Sequence, residues 1–471
     1  MTAQRQPARS VVRRACLSVV LLAVALLPGP AGSSSPPVPR LRVAAVDPGP
    51  DLAEPRRGLD VSGNLLLRDG APFLPVGFNL IGLLTPAWCV MPETEPATAG
   101  FGPAELQAAR AWHANTLRFQ VSQRGLADPD VPMADRAAYL ERVTAGIALA
   151  RGHGFAVLVS MQDQRYGCGA IHPLPSSQTL DAWTMLAPRL AADPYVAFEL
   201  FNEPRNEDDA AGWAQWRDGG TTPDANRGDP AVGHQELVDH LRALGATNLL
   251  LADAARLGER TTGMPRLADP ASNLAYAVHP YFFTAGGAWW DRQYGDTAAE
   301  VPVVATEWNY RADGCGTAEQ RLAPALLDYL RRHHIGVLGH AFDAPRTTVA
   351  DLSGKPTECG TAAGGSGRLL QDFLAGLQGR DLRPPAPPHG LRVLRMDRLQ
   401  VQLTWFAAAD PGPVSYVVVR NGTVVATATG AGWVDGTVRP GTSYTYTVRA
   451  VDAAGNISGN AAAVAVATPS R

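Results

Sequence analysis

Lysine is almost missing from this chain. Lys355 stands alone among 471 residues, so arginine supplies the other forty of 41 strong cations. The bias reads as the imprint of a GC-rich genome rather than of chemistry. Net charge is low as well, at −3, and no basic stripe with interleaved aromatics runs along any segment. Nucleic acid is therefore not an expected partner. No apolar run reaches the roughly 20 residues that a membrane-spanning helix needs. No two of the five cysteines have the short spacing of a zinc site, and neither a metal nor a cofactor is expected. A glycine-rich phosphate loop after the first strand-like segment is also lacking, which counts against an open doubly wound sheet.

What is present begins with an export signal. Arg5, Arg9, Arg13 and Arg14 precede the apolar stretch 17–27 and the small-residue exit Pro28-Gly29-Pro30-Ala31-Gly32-Ser33. A charged start, a short apolar core and small residues behind it fit a cleaved secretory signal over 1–32. Arg13-Arg14 leaves a twin-arginine route open. Removal takes four arginines and Cys16 with it, leaving a secreted, extracellular chain of net charge about −7 with no membrane span. Cys89, Cys168, Cys315 and Cys359 remain, an even number in an exported chain, so disulfides are expected.

A leader rich in Pro, Ser and Ala covers 33–56. Beyond it strand-like and helix-like segments alternate. Strands are expected at 73–80, 115–121, 155–161, 195–202, 248–254, 274–281, 301–307 and 335–342, with helical patterns such as 134–151, 180–192, 318–333 and 368–377 between and after them. Eight strands each followed by a helix is the arithmetic of a (β/α)₈ TIM barrel, here 57–380. In that reading all four cysteines fall in loops at one face. This favours Cys89–Cys168 with Cys315–Cys359 among the three possible pairings. A stiff proline-rich linker follows at 381–388. After it come short alternating strands at 399–405, 416–421, 423–429, 444–452 and 461–467. Trp405 has the place of a core tryptophan, and Gly441-Thr442-Ser443-Tyr444-Thr445-Tyr446 that of a tyrosine corner, as in an immunoglobulin-like sandwich. Residues 389–468 resemble a fibronectin type III domain.

Barrels of this type build their active site from the C-terminal ends of the strands. Polar residues at those ends are Asn79, Arg118, Gln162, Asn202, Glu203, His279, Tyr281, Glu307 and His340. Two carboxylates thus converge with an arginine, amides, histidine and tyrosine, a set suited to sugar hydroxyls. Carboxyl groups about 5–5.5 Å apart are what a retaining glycosidase needs, one as acid/base and one as nucleophile. Loop tryptophans Trp88, Trp213, Trp216, Trp289, Trp290 and Trp308 offer sugar-stacking faces or, equally, core. Glu199, four residues before Glu203, suits a buried structural contact. His333-His334, at a helix end, suits a dipole-complementing surface.

Asn202-Glu203-Pro204 after the fourth strand and Thr306-Glu307-Trp308 after the seventh carry a resemblance to glycoside hydrolase family 5, the cellulase family. His279-Pro280-Tyr281 and Leu117-Arg118-Phe119 add to it. The resemblance implies a retaining β-glycosidase with Glu203 as general acid/base and Glu307 as nucleophile. Asn202 would hold the 2-hydroxyl of the attacked sugar, and Arg118 and Tyr281 would hydrogen-bond Glu307. His279 would line the site, and Gln162, Trp308 and His340 would complete the substrate contacts. Two strand ends depart from the family pattern. Met161-Gln162-Asp163 stands where a histidine is common, and Gly339-His340-Ala341-Phe342 where a tryptophan platform is usual. The substrate expected is a β-linked polysaccharide or oligosaccharide, of the cellulase, endo-β-glucanase or mannanase type, acted on by a monomer. A glycolipid-directed glycosidase and a carbohydrate-binding pseudoenzyme of the same fold remain open. Glucan, mannan and xylan, and endo and exo cleavage, are not separated by these residues.

Overall fold

Successive side chains of a β-strand point to opposite faces, so a strand buried on both sides must satisfy two environments at once. The computed structural model describes residues 57–84, 102–163, 172–221, 226, 229–281 and 285–471. Three short strands, β1 (Leu59–Ser62), β2 (Leu65–Arg68) and β3 (Ala71–Pro72), pair antiparallel. Eight more close into a parallel barrel: β4 (Val76–Leu80), β5 (Thr116–Ser122), β6 (Ala156–Gln162), β7 (Val196–Glu199), β8 (Leu250–Asp253), β9 (Leu274–Val278), β10 (Val303–Trp308) and β11 (Gly336–Gly339). All eight fall on the expected segments, in sequence order around the barrel.

The two faces of these strands separate cleanly. Val157, Val159, Phe198, Leu250, Ala252, Tyr276, Val278, Val303, Ala305 and Val337 point outward into the main core beneath the helices. Ala156, Leu158, Ala197, Leu251, Ala275, Val304 and Leu338 form a second, inner cluster, joined by Leu59 and Leu66 from the N-terminal hairpin. Small and medium residues fill the barrel's lower half. Its upper half is polar, with Asn79, Arg118, Ser160, Glu199 and Asp253 all fully buried.

The helices at Met133–Gly152, Ser177–Leu190, Ala318–Arg332 and Gly367–Gly376 match their expected positions within a few residues. After β8 the regularity fails. Only the turn Ala255–Gly258 follows, and Arg256 and Leu257 there have φ of 54° and 64°. The left-handed backbone breaks the helix before it can grow.

Two sheets follow the barrel. One holds β12 (His389–Met396), β13 (Val401–Phe406) and β16 (Gly432–Asp435). The other holds β14 (Ser415–Arg420), β15 (Thr423–Ala428), β17 (Ser443–Val451) and β18 (Val464–Ala467). They enclose a core of Trp405, Tyr416, Val418 and Tyr446, and the Tyr444 hydroxyl accepts from Arg439 N–H at 2.8 Å. β12 and β16 were not expected. β12 is largely exposed and mixes arginines with apolar residues, and β16 has only four residues, so neither shows a clean period of two.

Residues 54–471 form one unit, and the sandwich rests directly on the barrel. Arg449 reaches Asp296 at 3.0 Å, Arg331 reaches Asn456 at 3.1 Å, and the Ile457 and Asn460 amides donate to Arg332 and Ala299 carbonyls. Asp296, Ala299, Arg331 and Arg332 all precede a barrel strand, so the sandwich sits at the N-terminal end of the barrel, away from the strand ends that carry the polar set. The surface reading of His333-His334 is also corrected. His334 is buried, and His333 stacks on Tyr329 with ring centroids 4.1 Å apart. Burial lowers the His334 pKa to about 4; burial, then Arg449 and Arg332, lower that of His333 to about 3.

A base whose folded pKa lies below its unfolded value binds fewer protons when folded. Its contribution is present above the unfolded value and is lost as pH falls from about 6.5 toward 4. For His334 the effect is about 3 kcal/mol. Thermal unfolding followed from neutral pH down to about pH 4 should therefore show a falling midpoint, and His334→Asn should flatten that slope.

Candidate active site

The site is organised around Arg118, which β5 carries on its inward face with Thr116, Gln120 and Ser122, while Leu117, Phe119 and Val121 face the helices. Its guanidinium is fully buried and its fork is spent in several directions. Nε and Nη2 grip the Glu199 carboxylate at 2.6 Å each. Nη1 donates to Asn79 Oδ1 and to Glu307 Oε1, both at 2.6 Å. Nη2 also reaches Asn202 Oδ1 at 2.6 Å and Ser160 Oγ at 2.9 Å. Charge-assisted, bidentate pairing of this kind is the strong form of hydrogen bond. Burial works against the cation, yet Glu199 and Glu307 more than offset it and raise its pKa.

Glu307 reaches this centre through an irregularity in β10. Ala305 pairs with Val337 and Trp308 with Gly339, so three steps on β10 match two on β11. The extra residue lets Thr306 and Glu307 both face inward, while Ala305 and Trp308 both face the outer core. Glu307 Oε1 accepts from Arg118 and from Gln120 Nε2 at 2.6 Å, and Oε2 accepts from the Tyr281 hydroxyl at 2.8 Å. His340 Nε2 stands 3.9 Å from Oε2. Burial alone would raise this carboxyl, but His340, His279 and Arg118 hold it well below the usual range. It is therefore ionised at neutral pH.

Glu203 faces it from the turn after β7. Its backbone is left-handed, φ 51°, and its N–H donates to Asp253 Oδ2 at 2.9 Å. Its Oε1 lies 3.1 Å from His279 Nδ1, and side-chain oxygens of Glu203 and Glu307 come within 4.8 Å of each other. His279 is fully buried; its Nε2 meets Thr306 Oγ1 at 3.0 Å and its N–H donates to Gly258 O at 2.7 Å. Glycine is required at 258. Its φ is +79°, and a Cβ there would lie 3.0 Å from the His279 ring.

Beneath the pair, Glu199 and Asp253 are fully buried, with carboxylate oxygens within 4.8 Å of each other. Burial and then the Glu199 charge push Asp253 well above its ordinary value. Glu199 moves down: burial opposes the shift, while Arg118 and the Asp253 hydrogen bond drive it. Glu199, Asp253 and His279, and Glu203, His279 and Glu307, have the spacing of metal ligands. Arg118 already takes both oxygens of Glu199, however, and Arg118, Gln120 and Tyr281 take those of Glu307.

Asn79, Arg118, Asn202, Glu203, His279, Tyr281, Glu307 and His340 are thus brought together. Asn202 turns Oδ1 to Arg118, and its Nδ2 has no bond to another described residue. Gln162 lines a polar cavity with Asp163, His172, Asn202, Glu203 and Arg205. Trp308 is different. It is fully buried, edge-on to Tyr310 with centroids 6.2 Å apart, because the β10 irregularity turns it to the core; it presents no face to a substrate. Trp213, Trp216 and Trp290 are core residues too, with Trp216 Nε1 donating to Asp253 O at 2.8 Å. Trp289 is half-buried. The sequence reading missed Gln120, Ser160, Asp253 and Thr306. Gln120 was findable, since it shares the inward face of β5 two residues beyond Arg118. Cys315 and Cys359 form a disulfide, Cα–Cα 5.6 Å, linking the loops after β10 and β11. Cys89, Cys168 and Trp88 lie outside the described residues.

A barrel with polar strand ends of this kind is the architecture of a glycoside hydrolase. The Cellulase (glycosyl hydrolase family 5) description matches residues 98–344, more than half of the chain, and the protein belongs to that family. Among solved structures, a β-glucanase from Saccharophagus degradans, in complex with cellotetraose, superposes with a TM-score of 0.51. That match has 18% identity and covers 68% of this chain and 93% of the other, showing a shared fold. Exoglucanase B of Cellulomonas fimi is 40% identical over 91 residues, 19% of this chain and 8% of that protein. Chitinase C of Streptomyces lividans is 28% identical over 232 residues, 46% of this chain and 35% of that protein. The chain thus spans only a minor part of these curated relatives.

Replacing Arg118 tests the centre. Arg118→Met leaves Glu199 and Glu307 buried without their cation and should cost about 3–5 kcal/mol in urea unfolding. Arg118→Lys should recover only part of this, because an ammonium lacks the planar fork.

Proposed function

We propose that this protein is a secreted retaining β-glycosidase that hydrolyses O-glycosidic bonds of a β-linked polysaccharide or oligosaccharide. The observation behind it is the approach of the two carboxylates to within 4.8 Å. Inverting enzymes keep their carboxyl groups about 6.5–9.5 Å apart to admit a water between sugar and base, and a closer pair suits double displacement. Glu307, held ionised by Arg118, Gln120 and Tyr281, attacks the anomeric carbon. Glu203 protonates the departing glycosidic oxygen, and a covalent glycosyl-enzyme forms. Glu203, now a carboxylate, then takes a proton from water, which attacks the same carbon and releases Glu307. Asn202 Nδ2 is available to a hydroxyl of the attacked sugar. Gln162 and His340 border the same opening and contact its substituents. Cellulase, endo-β-glucanase or mannanase activity is the form this takes.

The disulfide between Cys315 and Cys359 suits an oxidising, extracellular setting. The C-terminal sandwich is read as a fibronectin type III domain, supported by its buried Trp405 and the Tyr444 hydroxyl bond. Its position at the N-terminal end of the barrel suits a supporting role rather than a substrate-gripping one.

Glu307→Ala and Glu203→Ala should each lower kcat on a cleaved β-glucan or β-mannan by about 10³-fold or more. Azide should restore turnover to Glu307→Ala as a glycosyl azide of inverted configuration. Full activity in both variants would refute the assignment, and binding without product from the native protein would identify a pseudoenzyme instead. Deleting residues after 383 should leave adsorption to insoluble polysaccharide unchanged. A loss of adsorption would make the sandwich a binding module.

A further inference from the structure

Asp253 lies at the end of β8, fully buried, and no step of the double displacement uses it. Its surroundings leave it little freedom. Oδ2 accepts the Glu203 N–H at 2.9 Å and lies 3.6 Å from His279 Nε2, whereas Oδ1 receives no hydrogen bond from any N–H or O–H group. A carboxylate oxygen of this side chain nevertheless lies within 4.8 Å of one of Glu199. Glu199 is an acceptor throughout: Arg118 donates to both of its oxygens, and the Thr306 hydroxyl donates to Oε1 at 3.3 Å. Two buried carboxyl groups this close, one already taking three donors as an ion, are reconciled by a proton on the other.

We propose that Asp253 is a protonated carboxylic acid in the resting enzyme, and that it positions Glu203 from below by donating to Glu199 and accepting the Glu203 N–H. The titratable and charged groups around it are Arg118 from β5, Glu199 on β7, Glu203 beyond it, His279 after β9 and Glu307 on β10. With Asp253 neutral, one arginine is shared by two carboxylates, Glu199 and Glu307, each paired with it directly. With Asp253 ionised, three buried carboxylates would share that single cation, an arrangement whose desolvation nothing here repays. The neutral acid also fixes protons further out. The Thr306 proton goes to Glu199, so Thr306 Oγ1 accepts from His279 Nε2–H, and Nδ1 faces Glu203 Oε1 at 3.1 Å. The left-handed turn at Glu203 is held at its N–H by Asp253, and its carboxyl is aimed by His279. Asp253 is thus a positioning residue, acting through Glu203 and touching no reacting atom.

The proposal rests on Glu203 being the acid/base, but one readout does not. Infrared difference spectra of the native full-length protein at neutral pH should contain a carboxylic-acid C=O band, shifted in D₂O, that disappears in Asp253→Asn. An unchanged spectrum overturns the proposal whatever the catalytic roles are. Kinetics supply the second arm. Asn can donate through Nδ2 and accept through Oδ1, so Asp253→Asn should keep kcat within about threefold and leave the alkaline limb of the kcat/KM–pH profile in place. Asp253→Ala should lower kcat at least about tenfold with a smaller change in KM, because the Glu203 turn loses its acceptor. If Asp253 were ionised, Asp253→Asn would remove a negative charge beside Glu203 and draw the alkaline limb down by about one unit; that shift also overturns the proposal. Folded Asp253→Asn protein, judged by its unfolding transition, excludes a trivial loss.

Discussion

A single buried guanidinium sets the terms for everything at the upper end of this barrel. Arg118 is surrounded by acceptors drawn from four strands: Asn79 from β4, Ser160 from β6, Glu199 from β7 with Asn202 just beyond it, and Glu307 from β10. A parallel barrel gives such a group its value, because all strand ends point the same way and one residue can bind most of the ring. Two carboxylates would not be tolerated unpaired at this depth. The cation permits them, and their geometry follows from its fork. Local fold stability and the ionised state of Glu307 are therefore one property rather than two.

The barrel was legible in the sequence because its strands are short apolar runs separated by helical patterns, and each observed strand lies on an expected segment. The carboxylate pair was legible because both glutamates end such runs. What escaped has a common physical cause. Asp253, Ser160 and Thr306 are polar residues within buried strands, and their importance lies in contacts with strands far away in sequence. Trp308 failed for the opposite reason. Strict alternation says nothing of an irregularity that turns an aromatic at a strand end into core. His333-His334 looked like an exposed helix end, since the sequence does not reveal that Phe73 and Leu382 meet His334 or that Arg449 lies beside His333. The strands β12 and β16 have too little alternation to announce themselves.

The two domains divide their labour by position. The sandwich meets the segments just before β10 and β11, where Asp296, Ala299, Arg331 and Arg332 offer charges and carbonyls. The polar centre occupies the other end of the same strands. A histidine with lowered pKa, His333 beside Arg449, belongs to the first contact and paired carboxylates to the second, so acid challenges the junction and the active centre by different chemistry.

The irregularity in β10 has a consequence for how this strand can change. It acts as a half-period phase shift. Upstream of it, odd-numbered positions face the helices, and downstream even-numbered ones do. Were the same residues laid in a regular ladder, the faces beyond Ala305 would exchange, sending the Glu307 carboxylate into the hydrocarbon core and the Trp308 indole toward the guanidinium, whereas deleting one residue would remove Thr306 or Glu307 itself. Point substitutions can explore this strand, but changes in its length cannot, so its residue count is bound to its chemistry.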